Sequence, residues 1–257
     1  MYEKHPVFTA PPDENIKIWR YMDFTKFLSF IDRKTLFFTR VDQLEDKFEG
    51  RFTKYFFNSE IEEKATPDVR EKLRRRRVSS SKFNERDRTA LAVNCWHMNE
   101  YESAAMWKLY VKSDEGIAIQ STYSNLLNSF YDSDDYMLFV GTVKYIDYNK
   151  EVIPFNNMFY PYIHKRRSFE YERELRAIIT PSIITTKPSG KTSRAITLQP
   201  LPKEGVHIPI NIPNLVEMIY VSPACEVWFE DLVRSVLKTY QIGKQVKRSS
   251  LAEDPIF

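Results

Sequence analysis

The chain has 257 residues, 42% hydrophobic and 28% charged, which is ordinary globular composition. At this length roughly 70–75% of the extended-chain surface can be buried, so neither disulfides nor a structural metal is needed to hold a core. The net charge of +3, from 38 basic and 35 acidic residues, excludes nucleic-acid binding by the whole surface and leaves only a local basic patch. Cys95 and Cys225 stand alone, with no CxxC and no metal spacing, and read as reduced side chains. No stretch approaches the roughly 18 apolar residues of a membrane span, and MYEKHPVFTAPPDEN has no apolar leader core, so a soluble, cytoplasmic protein is expected. Eighteen Phe, 15 Tyr and 4 Trp against 6 Gly point to an aromatic-rich core.

Residues 1–15 hold three prolines and read as an extended arm. IKIWRY at 16–21 reads as a strand. Asp23 or Thr25 caps a helix through KFLSFID, with Phe24, Phe27, Leu28 and Ile31 on its apolar face. TLFFTR at 35–40 is a second strand, followed by the acidic turn DQLEDKFEG. The segment 58–90 is polar and helical in propensity, an exposed insertion carrying the basic run Arg74, Arg75, Arg76 and Arg77. ALAVNCW at 90–96 is a buried strand, 102–110 a short helix capped by Ser103, and GIAIQS at 116–121 another buried strand. LFVGTVKYI at 138–146 and LRAIIT at 175–180 supply two more strands, with a helix expected over 155–169 between them. Residues 182–205 read as a mobile loop. HIPINI follows as a strand, NLVEMIYVS as a turn and then a strand, and 226–240 as an amphipathic helix turning Val227, Leu232, Val233, Val236 and Leu237 inward. There is no βαβ rhythm, repeat or linker, so the expected fold is α+β: a single domain, with a central, mostly antiparallel mixed sheet flanked by helices.

Several chemistries need residues that are missing. There is no G-x-G-x-x-G, no G-x-x-x-x-G-K-[ST] and no G-x-S-x-G. His5, His97, His164 and His207 form no H-E-x-x-H or similar pair, so no His-based zinc site is expected. Lone histidines of this kind read as structural, with His164, beside a basic and aromatic run, the one to watch.

Three blocks concentrate charge and aromatics. The first runs from Arg20 through Arg40, Asp42, Asp46, Glu49 and Arg51, more charge than a turn needs. Arginines there can hold carboxylate or phosphate in planar pairs, or simply brace the loop. The second, SAAMWKLY, puts Trp107 and Tyr110 on one helix face, either in the core or along a cleft. In the third, FEYERELRAII, strand alternation puts Glu170, Glu172, Glu174 and Arg176 on one side. Four charges cannot all face a core. They face solvent, or deliver one or two carboxylates into a pocket for general-base work.

Four ordered motifs between about Ile16 and Ile179 resemble the bacterial and phage family catalogued as domain of unknown function 2971. They are WRY, DQLEDKFEG after a strand, MWKLY ahead of a GIAI strand, and KRRSFEYERELR; IYVSPAC and VKRSSL extend the likeness. Lys47 departs from the family's turn, which often has a small residue or proline there. A second resemblance is to ADP-ribosyltransferase-like folds, which carry a basic residue or His on an early strand, an aromatic or hydroxyl residue on a middle element and Glu on a late strand. Arg20, Tyr110 (or Trp107) and Glu172 or Glu174 come in that order here. This resemblance implies NAD, with Arg20 on its pyrophosphate, an aromatic against the nicotinamide, and the glutamate on a ribose hydroxyl, stabilising an oxocarbenium-like transition state. The chain lacks an S-T-S triplet and has Arg in place of His in the first motif.

Three readings remain in play. One is a nucleotide-dependent transferase with a role in phage–host conflict. Glu172, Glu174 and Tyr110 would be catalytic, Arg20 and Trp107 would hold the ligand, and Arg40, Asp42, Glu49 and Arg176 would support them. That reading expects Glu172→Gln and Glu174→Gln alike to leave stability nearly unchanged. The second is a non-catalytic module binding nucleotide or nucleic acid through Arg74 to Arg77, Lys165, Arg166 and Arg167, with steep salt dependence. The third is a metal-dependent nuclease gathering Asp42, Asp46, Glu49 and Glu172 around a hard cation.

Overall fold

β1 (Lys17–Asp23) and β3 (Ala92–Met98) come from the runs KIWRYMD and AVNCWHM, rich in β-branched and aromatic residues, and both bury residues on their two faces. The computed structural model describes residues 1–53, 66–154, 156–186, 192–253 and 255. One edge of β3 is covered by β8 (Glu174–Thr186), antiparallel, from Ala92 opposite Ile179 to His97 opposite Glu174. The other edge is shared by two strands. β1 pairs with it only at Ile18–Met98 and Trp19–His97, and β2 (Thr35–Arg40) only at Thr39–Val93 and Arg40–Ala92. Between these contacts, along 94–96, the sheet forks. One arm continues from β1 through β4 (Gly116–Thr122), β11 (Met218–Val221) and β12 (Val246–Arg248); the other ends at β10 (Val206–Pro209). β5 (Tyr136–Thr142) and β9 (Thr192–Ile196) flank β8. Among the described strands of this sheet β11–β12 is the parallel pairing, and β6 (Lys144–Ile146) and β7 (His164–Arg166) form a separate parallel pair.

α1 (Phe24–Arg33) bridges the two arms of the fork. It buries Phe27, Phe30 and Ile31 at helical spacing, and Lys34, at φ 52°, turns the chain directly into β2. Phe24 is only partly buried, and Leu28 is not among the buried residues. Asp23 occupies the cap position, but its carboxylate accepts from Lys112 N at 2.9 Å instead of capping the helix. The main core lies on this face of the sheet, where Ile18, Trp96, Ile119, Leu175 and Ile179 meet α1, α4 (Tyr123–Ser129) and α6 (Val227–Thr239). The opposite face carries two smaller apolar clusters. One joins Trp19, Tyr21, Met106 and Trp107 under α3 (Ala104–Tyr110); the other joins Val93, Phe139, Tyr162 and Ile178. Strand alternation places Cys95, His97, Glu174 and Arg176 between them, so the fork opens beside a polar strip.

The α+β single-domain architecture follows the sequence reading; several local expectations do not. The helix expected over 155–169 is replaced by a 3-10 turn at Tyr160–Tyr162 and the short strand β7. The strand expected across 138–146 breaks at Val143: its N–H is the last to reach β8, at the Glu174 carbonyl, and the Lys144 N–H turns to the Ile163 carbonyl instead. Much of the loop expected over 182–205 is the β8–β9 hairpin. α4 had no counterpart in the sequence reading. Of the inward set named for α6, Val233 and Leu237 are buried with Phe229, whereas Val227 is 67% exposed. The insertion is the helix α2 (Pro67–Ala90), and 54–65 lie outside the described residues. The N-terminal arm is packed: Tyr2 bridges Leu138, and Val7 and Phe8 are buried. Among the described residues no helix is long and apolar enough to cross a membrane.

Candidate active site

The fork leaves part of one edge of β3 without a strand partner, and side chains fill the gap. Arg20 Nη1 donates to the Cys95 carbonyl at 2.8 Å, and Asn94 Nδ2 donates to the Phe37 carbonyl at 2.8 Å. Buried Trp96 holds Asn94 in turn, its Nε1 donating to Asn94 Oδ1 at 2.7 Å. A cavity of about 480 Å³ occupies the wedge, lined by Arg20, Tyr21, Cys95, His97, Tyr110, Glu172 and Glu174 at one end and by α1, β2 and β10 residues including Phe30, Phe37 and His207 at the other. Arg20 makes no ion pair among the described residues. Burial lowers its pKa, the direction expected of a guanidinium short of counter-charge.

Behind the carboxylates lies a buried charge cluster. Lys165 Nζ is 2.6 Å from Glu172 Oε2, 2.6 Å from Glu174 Oε1 and 3.1 Å from Glu49 Oε1. Arg176 Nη2 contacts Glu174 Oε2 at 2.5 Å and Glu49 Oε2 at 2.8 Å, while Arg176 Nη1 donates to the Tyr162 carbonyl at 2.9 Å. Glu49 Oε2 lacks a partner with hydrogen-bond geometry, so its hold on Arg176 is by charge. Three carboxylates against two cations leave one negative charge in excess. The two glutamates carry that excess unequally. Burial, with Glu174 as neighbour, pushes the Glu172 carboxyl up to about 7. Burial acts on Glu174 in the same sense, but Arg176 and Lys165 outweigh it and hold that carboxyl well below the usual range.

Glu174 and Arg176 share a face of β8, as alternation put them, but Glu172 lies off the strand. Residues 167–172 form a 3-10 turn, Arg173 takes φ 41°, and β8 begins only at Glu174. Glu170 is exposed, while Glu172, Glu174 and Arg176 are buried. The turn folds Glu172 back so that it and Glu174 meet on one ammonium, and Tyr145 Oη accepts from Glu174 N at 2.8 Å, pinning the strand start.

Tyr110 ends α3, whose first turn is capped by Ser103 Oγ accepting from Met106 N at 3.4 Å. It lines the cavity with 44% of its surface exposed, and burial, followed by the Glu172 and Glu174 charges, raises its pKa, so the hydroxyl stays protonated. Trp107 does not line the cavity. It is buried against Tyr21 and its Nε1 donates to Glu102 at 2.9 Å, because residues three apart on so short a helix still diverge enough for one to reach the core. Arg40 and Asp42 lie outside the lining as well. They form a paired brace, Nε to Oδ1 at 2.6 Å and Nη2 to Oδ2 at 2.9 Å, with Arg40 Nη1 on the Leu201 carbonyl.

The residues named for phosphate contact are scattered or engaged. Lys165 is buried in the cluster, and Arg166 is committed to Asp46 and stacked over Phe48. Arg74 and Arg75 pair with Glu71 on α2, and the Arg76 and Arg77 side chains lie outside what is described. Of the four carboxylates named for a hard cation, Glu49 and Glu172 meet, but on Lys165, whereas Asp42 is held by Arg40 and Asp46 by Arg166; among the described residues no group of three or more acidic, His or Cys side chains could hold a metal ion.

The sequence reading passed over Lys165 as a cluster member and His97 as a site residue. The signal for Lys165 was a cation on a three-residue strand between aromatic turns, too short to carry a period. For His97 it was alternation with Cys95 along β3.

No protein-family model matches the chain, and no curated protein does. Two solved structures resemble it: Thermus sp. 2.9 DarT in complex with NAD+, at TM-score 0.41 and 8% identity over 96% of this chain and 100% of that one. The other is the same protein in complex with ADP-ribosylated ssDNA, at TM-score 0.39 and 8% identity over 94% and 95%. Likeness at that level carries no residue-by-residue correspondence.

Proposed function

We propose that the chain is a nucleotide-dependent transferase of ADP-ribosyl type that binds NAD in the forked cavity. The observation that carries the reading is that Arg20, Tyr110, Glu172 and Glu174, widely spaced in sequence, line one cavity of about 480 Å³. A volume of that order suits a small molecule rather than a polymer. Arg20 has guanidinium N–H groups to spare and, among the described residues, no carboxylate partner, which suits the pyrophosphate. The aromatic end offers surface for a base, and the acidic end suits a centre that becomes positive.

The transfer balances as follows. The bond from ribose C1′ to the nicotinamide nitrogen breaks, and its electron pair leaves with neutral nicotinamide. Positive charge develops on the sugar, where the excess negative charge of the cluster stabilises it. The acceptor's lone pair forms the new bond to C1′ and its proton passes to Glu172, whose carboxyl near 7 is poised to receive it. Glu174 stays ionised and holds Lys165 and Arg176 in place.

Nicotinamide release from NAD, with water or added nucleophiles as acceptor, tests the reading. Turnover that Glu172→Gln reduces at least a hundredfold, with folding intact, is expected. No NAD consumption by the wild-type chain, together with no NAD binding, overturns it.

A further inference from the structure

His97 is buried, lines the cavity, and belongs to no role above. Its two nitrogens are in unlike positions. Nδ1 is 2.7 Å from the Glu172 carbonyl oxygen, which can only accept, so Nδ1 carries the ring proton. Burial and the nearby Arg173 charge keep the ring neutral, against the Glu172 carbonyl. Nε2 therefore presents a lone pair. That atom is buried and has no hydrogen-bond partner among the described residues, and a buried acceptor left in that condition awaits a donor.

The position narrows the donor. His97 pairs with Trp19 at the last rung before the fork opens, and its ring is fastened to the backbone of Glu172 itself. His97 and Glu172 thus line the same end of the cavity. Pyrophosphate brings acceptors only and cannot satisfy Nε2. The group at the Glu172 end that brings O–H donors is the reacting sugar. We propose that His97 Nε2 accepts a hydrogen bond from a hydroxyl of the ribose bearing the nicotinamide, and so orients C1′ toward the acceptor. This rests on the NAD reading above.

Two substitutions separate this role from support of the loop. An Asn amide can keep the donor to the Glu172 carbonyl while deleting the Nε2 position; a Gln amide can place its oxygen near Nε2. Calorimetric titration with NAD, and with analogues lacking one hydroxyl of that ribose, is the measurement. The wild type should bind NAD and lose roughly tenfold for one analogue. His97→Asn should bind NAD about tenfold more weakly and no longer tell the two apart, with an unchanged thermal midpoint; His97→Gln should recover most of the loss. His97→Asn binding NAD as wild type, or still discriminating, overturns the inference and leaves the NAD reading standing. If His97→Asn does not fold, a His97→Gln chain that folds and has lost the discrimination overturns it too, and one that keeps the discrimination supports it. A wild type that does not bind NAD overturns both.

Discussion

Glu172 and Glu174 meet on a single ammonium, with one oxygen of each 2.6 Å from Lys165 Nζ. Only Glu174 also holds Arg176. The pair is therefore unequal, and its members should respond differently to the same substitution.

Glu174→Gln leaves Lys165 and Arg176 buried with one carboxylate fewer, and breaking a buried pair costs roughly 3–5 kcal/mol. Glu172→Gln removes one of two adjacent acids, and its protonated form already resembles an amide, so a cost within about 1 kcal/mol is expected. Urea unfolding of both variants at pH 7 checks this, and equal midpoints would sink it. The even-handed expectation from sequence, that neither change affects stability, is revised for Glu174 by the Arg176 contact.

Stability should carry a pH signature of Glu172. Its folded pKa of about 7 lies above an unfolded value of about 4.3. From pH 4.5 to 7 the folded state binds a proton that the unfolded state has released, so this contribution is present at the acid end and lost as pH rises. Glu174 works in the opposite sense: held low, it stabilises above its unfolded pKa, and that part is lost only as pH falls toward the folded value. The stability of wild type relative to Glu172→Gln should drop by on the order of 2 kcal/mol between pH 5 and 8. Under the proposed mechanism kcat/KM rises over the same range and levels off above 7. Parallel urea series and rate profiles read both, and a flat difference would remove Glu172 as the titrating group.

What was legible in the sequence was the set of residues, and what was hidden was how the chain brings them together. TLFFTR gave β2 at its true limits because β-branched and aromatic residues continue to its last turn. Ser103 was a readable cap because its hydroxyl acts locally. The placement of Glu172 was not readable: Arg173 at φ 41° resets the alternation, and nothing in RELR announces a left-handed arginine. The two glutamates still converge, but through a turn rather than along a strand. Lys165 looked like a phosphate contact because a basic run is judged by composition, and its three carboxylate partners come from residues 49, 172 and 174. The fork was equally out of reach, since its cause is the early end of two pairings that periodicity alone would have continued.

Arg20 has two jobs that substitution can separate. One N–H holds the Cys95 carbonyl in the gap of the sheet, and the side chain lines the cavity. Arg20→Lys keeps the charge and can keep one hydrogen bond, but loses the planar two-point grip. NAD affinity should fall about tenfold in Arg20→Lys and about a hundredfold in Arg20→Ala, the latter also losing about 1 kcal/mol of stability from the freed carbonyl. Equal affinity in all three chains would separate Arg20 from the ligand.

Gly50 ties the first block to the cluster. It sits at φ +69°, where an L side chain is strained, and an added Cβ would lie 2.8 Å from the Tyr162 ring and 2.9 Å from Val41. Tyr162 cannot move freely: its carbonyl receives Arg176 Nη1, and Asn84 Nδ2 bridges its hydroxyl to the Gly50 carbonyl. Gly50→Ala should therefore cost about 2–3 kcal/mol, more than positive φ alone, which costs on the order of 1 kcal/mol. It should also shift the titration of Glu172, because Glu49, the preceding residue, is displaced from Lys165 and Arg176. A Gly50→Ala chain as stable as wild type and with an unaltered pH profile would show that the turn does not position the cluster.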